Sequence, residues 1–171
     1  MYNLKLYVLI AALIAVPAVA YFKEDVLQKP GAGRGKEISP KGRFIAFNND
    51  VVVDQKTGLM WACEDNGRNI SWSAAKSYCE NYKGAGYKDW RMPTLDELAS
   101  LYGTGAGYPL ECDLSYTIKV TRLIKFTSSC PWASETQGSK AAFYRIRHGR
   151  RGWIRQAFYC SFRALPVRSD N

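Results

Sequence analysis

TGLMW at residues 57–61, WSAAKSYCENY at 72–82 and DWRMPTLDEL at 89–98 hold more local order than any other part of this chain. In the third of these, Thr94 and Glu97 stand three apart, the spacing of a capping box in which each side chain satisfies a backbone N–H at a helix start. Pro93 precedes the box, Leu95, Leu98 and Leu101 recur on one face, and Gly103 marks the stop. In the second, Ser71 is a good N-cap for a helix with apolar positions Trp72, Ala75, Tyr78 with Cys79, and Tyr82, ended by Gly84 and Gly86. Asp96 and Glu97 look like paired acid and base, but in a first helical turn they favour the dipole instead. Trp61, Trp72 and Trp90 lie inside these elements and are read as core, since each buries on the order of 150–250 Å².

Upstream, residues 44–47, 51–53 and 59–61 are short β-favouring runs separated by Asn48-Asn49-Asp50 and by the 55–58 turn, the pattern of a β-meander. Turn chemistry explains the Asn-Asn-Asp step better than calcium binding does. Residues 21–43 carry Pro30, Gly31, Gly33, Gly35, Pro40 and Gly42 among charges, the composition of a flexible linker. Residues 1–20 have Lys5, an apolar run broken by Pro17, and Ala18-Val19-Ala20, which fits a secretory signal with its cleavage site. The run is short for a spanning helix, which needs about 20 apolar residues, so no membrane span is expected after cleavage. The organisation expected is signal peptide 1–20, linker 21–43, domain 44–168 and tail 169–171.

The chain has 171 residues and a net charge of +9, which favours a polyanionic partner. Export removes nucleic acid from the candidates and leaves an anionic polysaccharide or a cell-surface polyanion. The expected location is periplasmic, cell-surface or extracellular. In such a compartment, the five cysteines suggest two disulfides and one free or intermolecular thiol. Cys112 paired with Cys130 would close a loop worth about 3 kcal/mol, while partners among Cys63, Cys79 and Cys160 stay open. No CxxC pair exists and there is a single histidine, so metal-site spacing is absent and no cofactor is expected.

Downstream, residues 102–131 read as an irregular loop region carrying Lys119, Arg122 and Lys125, and residues 141–147 and 153–159 read as strands around a turn at 148–152. A third strand is expected over 161–167. Alternation on the first places Ala142, Tyr144 and Ile146 on a buried face and Phe143, Arg145 and Arg147 on the other. Asn69-Ile70-Ser71 matches a glycosylation acceptor, but Ser71 already caps a helix.

The three quoted motifs make the chain resemble the Lcl C-terminal domain family, exported bacterial domains named after a collagen-like adhesin. Pro131-Trp132-Ala133-Ser134 is similar to that family's tryptophan-serine step, and the end from Arg163 to Arg168 to its arginine-containing terminus. The resemblance implies an α+β fold of the C-type-lectin-like group, akin to sulfatase-modifying factors, with two helices on small twisted antiparallel sheets and a long irregular loop region. In the founding adhesin the domain is associated with sulfated glycosaminoglycans. This chain has no collagen-like Gly-X-Y tract, and Leu165 stands where many relatives have a cysteine.

The candidate ligand-binding residues are Lys140, Arg145, Arg147, His148, Arg150, Arg151 and Arg155, a set with no acidic residue between positions 140 and 155. Arginine's planar fork matches sulfate or carboxylate bidentately. The expected function is a non-catalytic binding module for an anionic polysaccharide or surface polyanion, with adhesion as one use. The alternative is a subunit of a surface assembly, homo-oligomeric or with a partner. No catalytic residue is expected: a hydrolase would rest on His148 without an orienting acid, and a thiol enzyme needs a cysteine of lowered pKa.

Overall fold

The structure is a computed structural model that describes residues 33–110 and 113–170. The expected signal peptide, the start of the linker, Cys112 and therefore the Cys112–Cys130 pairing lie outside those residues.

The opening meander forms as its sequence predicts: β1 (Phe44–Phe47), β2 (Val51–Asp54) and β3 (Leu59–Ala62) pair antiparallel in order. The last strand, β10 (Val167–Ser169), then pairs with β3, setting Val167 opposite Trp61. The two ends of the domain thus share one four-stranded sheet. Both β2 and β3 are buried along their whole length. Val52 and Trp61 face the main core, whereas Val51, Val53 and Met60 pack with Trp90 on the other side.

Residues expected to belong to the linker reach onto this sheet. Ile38 N donates to Ala46 O and Asn48 N to Lys36 O, both at 2.9 Å, so the segment runs beside β1. Arg34 is ion-paired with Asp170 at 2.7 Å. Arg43 donates to both oxygens of the buried Asp54, at 2.8 and 2.6 Å. From residue 33 onward the segment is therefore fixed to the domain by hydrogen bonds that glycine and charge content do not reveal.

Both helices form where their caps predict. Helix α1 (Trp72–Glu80) has Ser71 as N-cap, its Oγ accepting from Ala74 N. Helix α2 (Leu95–Leu101) carries the complete Thr94/Glu97 capping box and buries Leu95, Leu98 and Leu101. Glu135 adds a further partner, accepting from Leu95 N at 2.8 Å.

Residues 102–131 are more ordered than expected. They contain the hairpin β4 (Tyr108–Leu110) with β5 (Asp113–Ile118), and Val120, Ile124 and Phe126 are buried in the main core. The Tyr108 hydroxyl ties the segment together, donating to Ile124 O at 2.6 Å and accepting from Phe126 N at 2.8 Å.

A second four-stranded sheet has the order β8–β7–β6–β9, with β6 (Cys130–Gln137), β7 (Lys140–Arg145), β8 (Arg150–Arg155) and β9 (Phe162–Arg163). Here the expected strand boundaries move. The turn spans residues 146–149, so Arg150 and Arg151 lie inside β8, and the region expected as a third strand divides into β9 and β10. Strand β7 is covered on both faces rather than one. Ala142 and Tyr144 join the main core, while Ala141 and Phe143 join a second cluster with Trp132 and Phe162. Among the described residues no helix is long and apolar enough to cross a membrane. The described residues form an α+β architecture, two α-helices packed with small, mostly antiparallel sheets.

Candidate functional site

The register of the β7–β8 hairpin decides which basic side chains can act together. Directly opposed residues in an antiparallel pair project to the same face, and neighbours alternate. Lys140 opposes Arg155, Ala142 opposes Trp153 and Tyr144 opposes Arg151, all on one face. Phe143 opposes Gly152 and Arg145 opposes Arg150 on the other face. The seven candidates therefore do not form one patch: Lys140, Arg151 and Arg155 lie on one side, Arg145 and Arg150 on the other, and Arg147 with His148 at the turn.

On the first face, Arg151 is engaged by Asp96 of α2 through a short hydrogen-bonded ion pair. Trp153 lies between Arg151 and Arg155 on its strand and is 42% exposed. Sequence reasoning placed Trp153 in a strand but gave it no role.

The second face is more concentrated. Arg145 and Arg150 are both exposed and directly opposed, an arrangement in which like charges destabilise a hairpin. Arg145 partly offsets this by lying over the Phe143 ring, 5.5 Å from its centroid. Arg147 lies over the ring of Tyr116 from β5. Arg145, Arg147 and His148 line a shallow hollow of about 280 Å³ together with Ser129 and Cys130. Among the described residues no carboxylate lines it.

A family model for the Lcl C-terminal domain matches residues 50–168. The chain belongs to that family. No curated protein matches it.

The residues by which this Lcl C-terminal domain is recognised prove structural. Trp61 and Trp90 are buried, and Trp72 is half-buried with its Nε1 donating to Ala133 O at 2.8 Å. Arg91 donates to both Glu97 oxygens, at 2.8 and 2.5 Å, while Glu97 Oε2 also accepts from Thr94 N. Burial pushes the Glu97 carboxyl up, but the bonds from Arg91 and Thr94 outweigh it and hold the group below the usual range. Arg168 donates to both oxygens of Asp89, at 2.8 and 3.0 Å, with its guanidinium 3.8 Å from the Tyr87 ring centroid. Arg163 is buried and donates to Thr127 Oγ1 at 2.6 Å and Asn69 Oδ1 at 2.9 Å. Arg163 and Arg168 thereby join the C-terminal segment of the domain to its middle.

The cysteines separate by environment. No disulfide forms among the described residues, and Cys63, Cys79 and Cys160 are thiols. Burial, with the charges of Asp50 and Glu64, pushes the Cys63 thiol up to about 11, and burial pushes Cys79 up to about 12. Because the thiolate is the nucleophile, both should be inert near neutral pH, whereas Cys160 is exposed. In a native thiol titration at pH 8, Cys160→Ser should remove a fast-reacting thiol, and Cys63→Ser or Cys79→Ser should leave the fast phase unchanged. A fast phase lost with Cys63 or Cys79 would contradict this assignment. Among the described residues no cluster of three or more His, Cys, Asp or Glu side chains could hold a metal ion.

Proposed function

We propose that this Lcl C-terminal domain is an exported, non-catalytic binding module for an anionic polysaccharide or cell-surface polyanion. The observation that carries the reading is the opposed pair Arg145 and Arg150 beside the hollow of Arg145, Arg147 and His148. Opposing two exposed arginines on an edge hairpin is unfavourable in the free protein. A bound sulfate or carboxylate would reverse that sign by accepting from both guanidinium groups. The hollow suits one such group rather than a drug-sized ligand, and an open edge strand suits a chain of them. The C-type-lectin-like assignment of the fold belongs to the same reading, supported by the β3–β10 joining of the chain ends and by the two helices.

The split of the basic set between two faces makes the test specific. Changing Arg145 and Arg150 together to glutamine should lower the salt concentration at which the protein leaves a heparin column. The slope of log affinity against log salt should fall by about one per arginine, as for release of counterions from other polyanions. Changing Lys140 and Arg155 to glutamine should move elution less. Elution unchanged by the first pair would sink the assignment.

A further inference from the structure

Another cavity among the described residues shares no lining residue with the hollow beside the arginine hairpin. It is a groove of about 760 Å³ between α1 and the turn after β8, lined by Arg68, Asn69, Ser77, Tyr78, Asn81 and Tyr159 among others. We propose that this groove is a second saccharide site, which takes an uncharged hexose or N-acetylhexosamine unit through adjacent hydroxyl groups. It rests on the reading of the domain as a glycan binder, and adds a subsite for the neutral part of such a chain.

Two asparagines carry the inference because their amides have opposite free ends. Asn69 Oδ1 already accepts from Ser161 N at 3.0 Å and from Arg163 Nη1 at 2.9 Å. Two donors on one atom identify it as the oxygen, so Asn69 presents its Nδ2, which has no partner among the described residues. Asn81 is the reverse case. Its Nδ2 donates to Ser77 O at 2.8 Å and to Ser77 Oγ at 3.3 Å, which leaves Oδ1 without a partner among the described residues. Both asparagines are exposed and line the groove, so its rim carries one amide donor and one amide acceptor. Adjacent sugar hydroxyls, each both donor and acceptor, match that pair.

The remaining lining excludes other ligand classes. Among the described residues no carboxylate lines the groove, so it does not suit a cation, and Arg68 is the one charged group lining it, too little for a strongly anionic ligand. Ile70 and Ala74 are its aliphatic contributions, too few for an acyl chain. Tyr78 and Tyr159 supply flat aromatic area of the kind that covers the C–H face of a sugar ring. Tyr159 is 58% exposed, and Ser161 two residues on is held at φ +65°. That backbone conformation is uncommon outside glycine, and the Asn69 bond to Ser161 N helps hold it.

The test uses the full domain with chitotetraose and cellotetraose as neutral probes, titrated calorimetrically, and heparin-column elution in parallel. At least one tetrasaccharide should bind the wild-type protein. Tyr159→Ala should weaken that binding by about tenfold, the effect of losing one aromatic contact, and Tyr159→Trp should hold it close to wild type. Neither variant should change heparin elution or thermal stability. Binding of neither tetrasaccharide by the wild type, or equal binding by Tyr159→Ala, overturns the groove proposal. A shift of heparin elution by the Arg145/Arg150 change in the same preparation would show that the polyanion reading survives that failure.

Discussion

Replacing Trp132 with alanine should lower the free energy of unfolding by about 3–5 kcal/mol, the range for removing a fully buried large aromatic side chain. Trp132 has no exposed surface and stacks on Phe162 at 4.1 Å between centroids, with Phe143 edge-on at 6.3 Å. Its Nε1 donates to Ile70 O at 2.9 Å in a buried setting. Alanine would therefore leave a cavity and also strip a partner from a buried carbonyl. Trp132→Phe keeps much of the stacking and should lose less, with about 1 kcal/mol from the hydrogen bond. Urea denaturation of the three proteins checks the order, and a Trp132→Ala midpoint equal to wild type would contradict the packing described.

Replacing Asp65 with alanine should also cost about 3–5 kcal/mol, because it breaks a buried charged network on one side only. The Asp65 side chain is fully buried. One oxygen accepts from Gly67 N at 2.8 Å and Thr127 Oγ1 at 2.7 Å, the other from Thr127 N at 2.7 Å. Arg163, itself buried, lies 3.8 Å from the first oxygen. Asparagine should not rescue the site, since both carboxylate oxygens accept and an amide would turn N–H groups toward one set of donors. An Asp65→Asn protein as stable as wild type, judged by the same denaturation, would overturn this account of how the 63–69 and 125–129 segments are joined.

What could be read from sequence was what is encoded within a few residues. The capping box at Thr94, the N-cap at Ser71 and the short strands of the meander are local, and each forms where its spacing predicts. Long-range coverage was not legible. Phe143 alternates with buried positions and so reads as solvent-facing, yet Trp132 and Phe162 cover it from distant parts of the chain. Arg150 and Arg151 read as turn residues because they are polar and flank glycines. They instead belong to an edge strand, where charge is compatible with strand geometry and discourages unwanted pairing. Residues 102–131 look irregular because their order comes from the Tyr108 hydroxyl and from Ile118, Val120, Ile124 and Phe126 reaching the main core.

For the candidate site the distinction is sharper. The residue types were visible in the sequence, but their division between two faces depends on the Arg145–Arg150 register, which the turn position determines. A turn placed at 148–152 gathers all seven basic residues into one group, whereas the actual turn at 146–149 separates Arg151 from Arg150 and gives Arg151 to Asp96. The groove was invisible for a simpler reason. Tyr78 reads as one position on a helical face, and the groove's other ring, Tyr159, arrives from the connection between β8 and β9.

The most direct test of polyanion recognition is a glycan array probed with the purified domain at low and at high salt. Binding to sulfated or uronic-acid-rich glycans is expected at low salt, fading as salt rises and weaker for the Arg145→Gln, Arg150→Gln variant. An array on which no anionic glycan is bound at low salt, or on which the variant binds as wild type does, would contradict it.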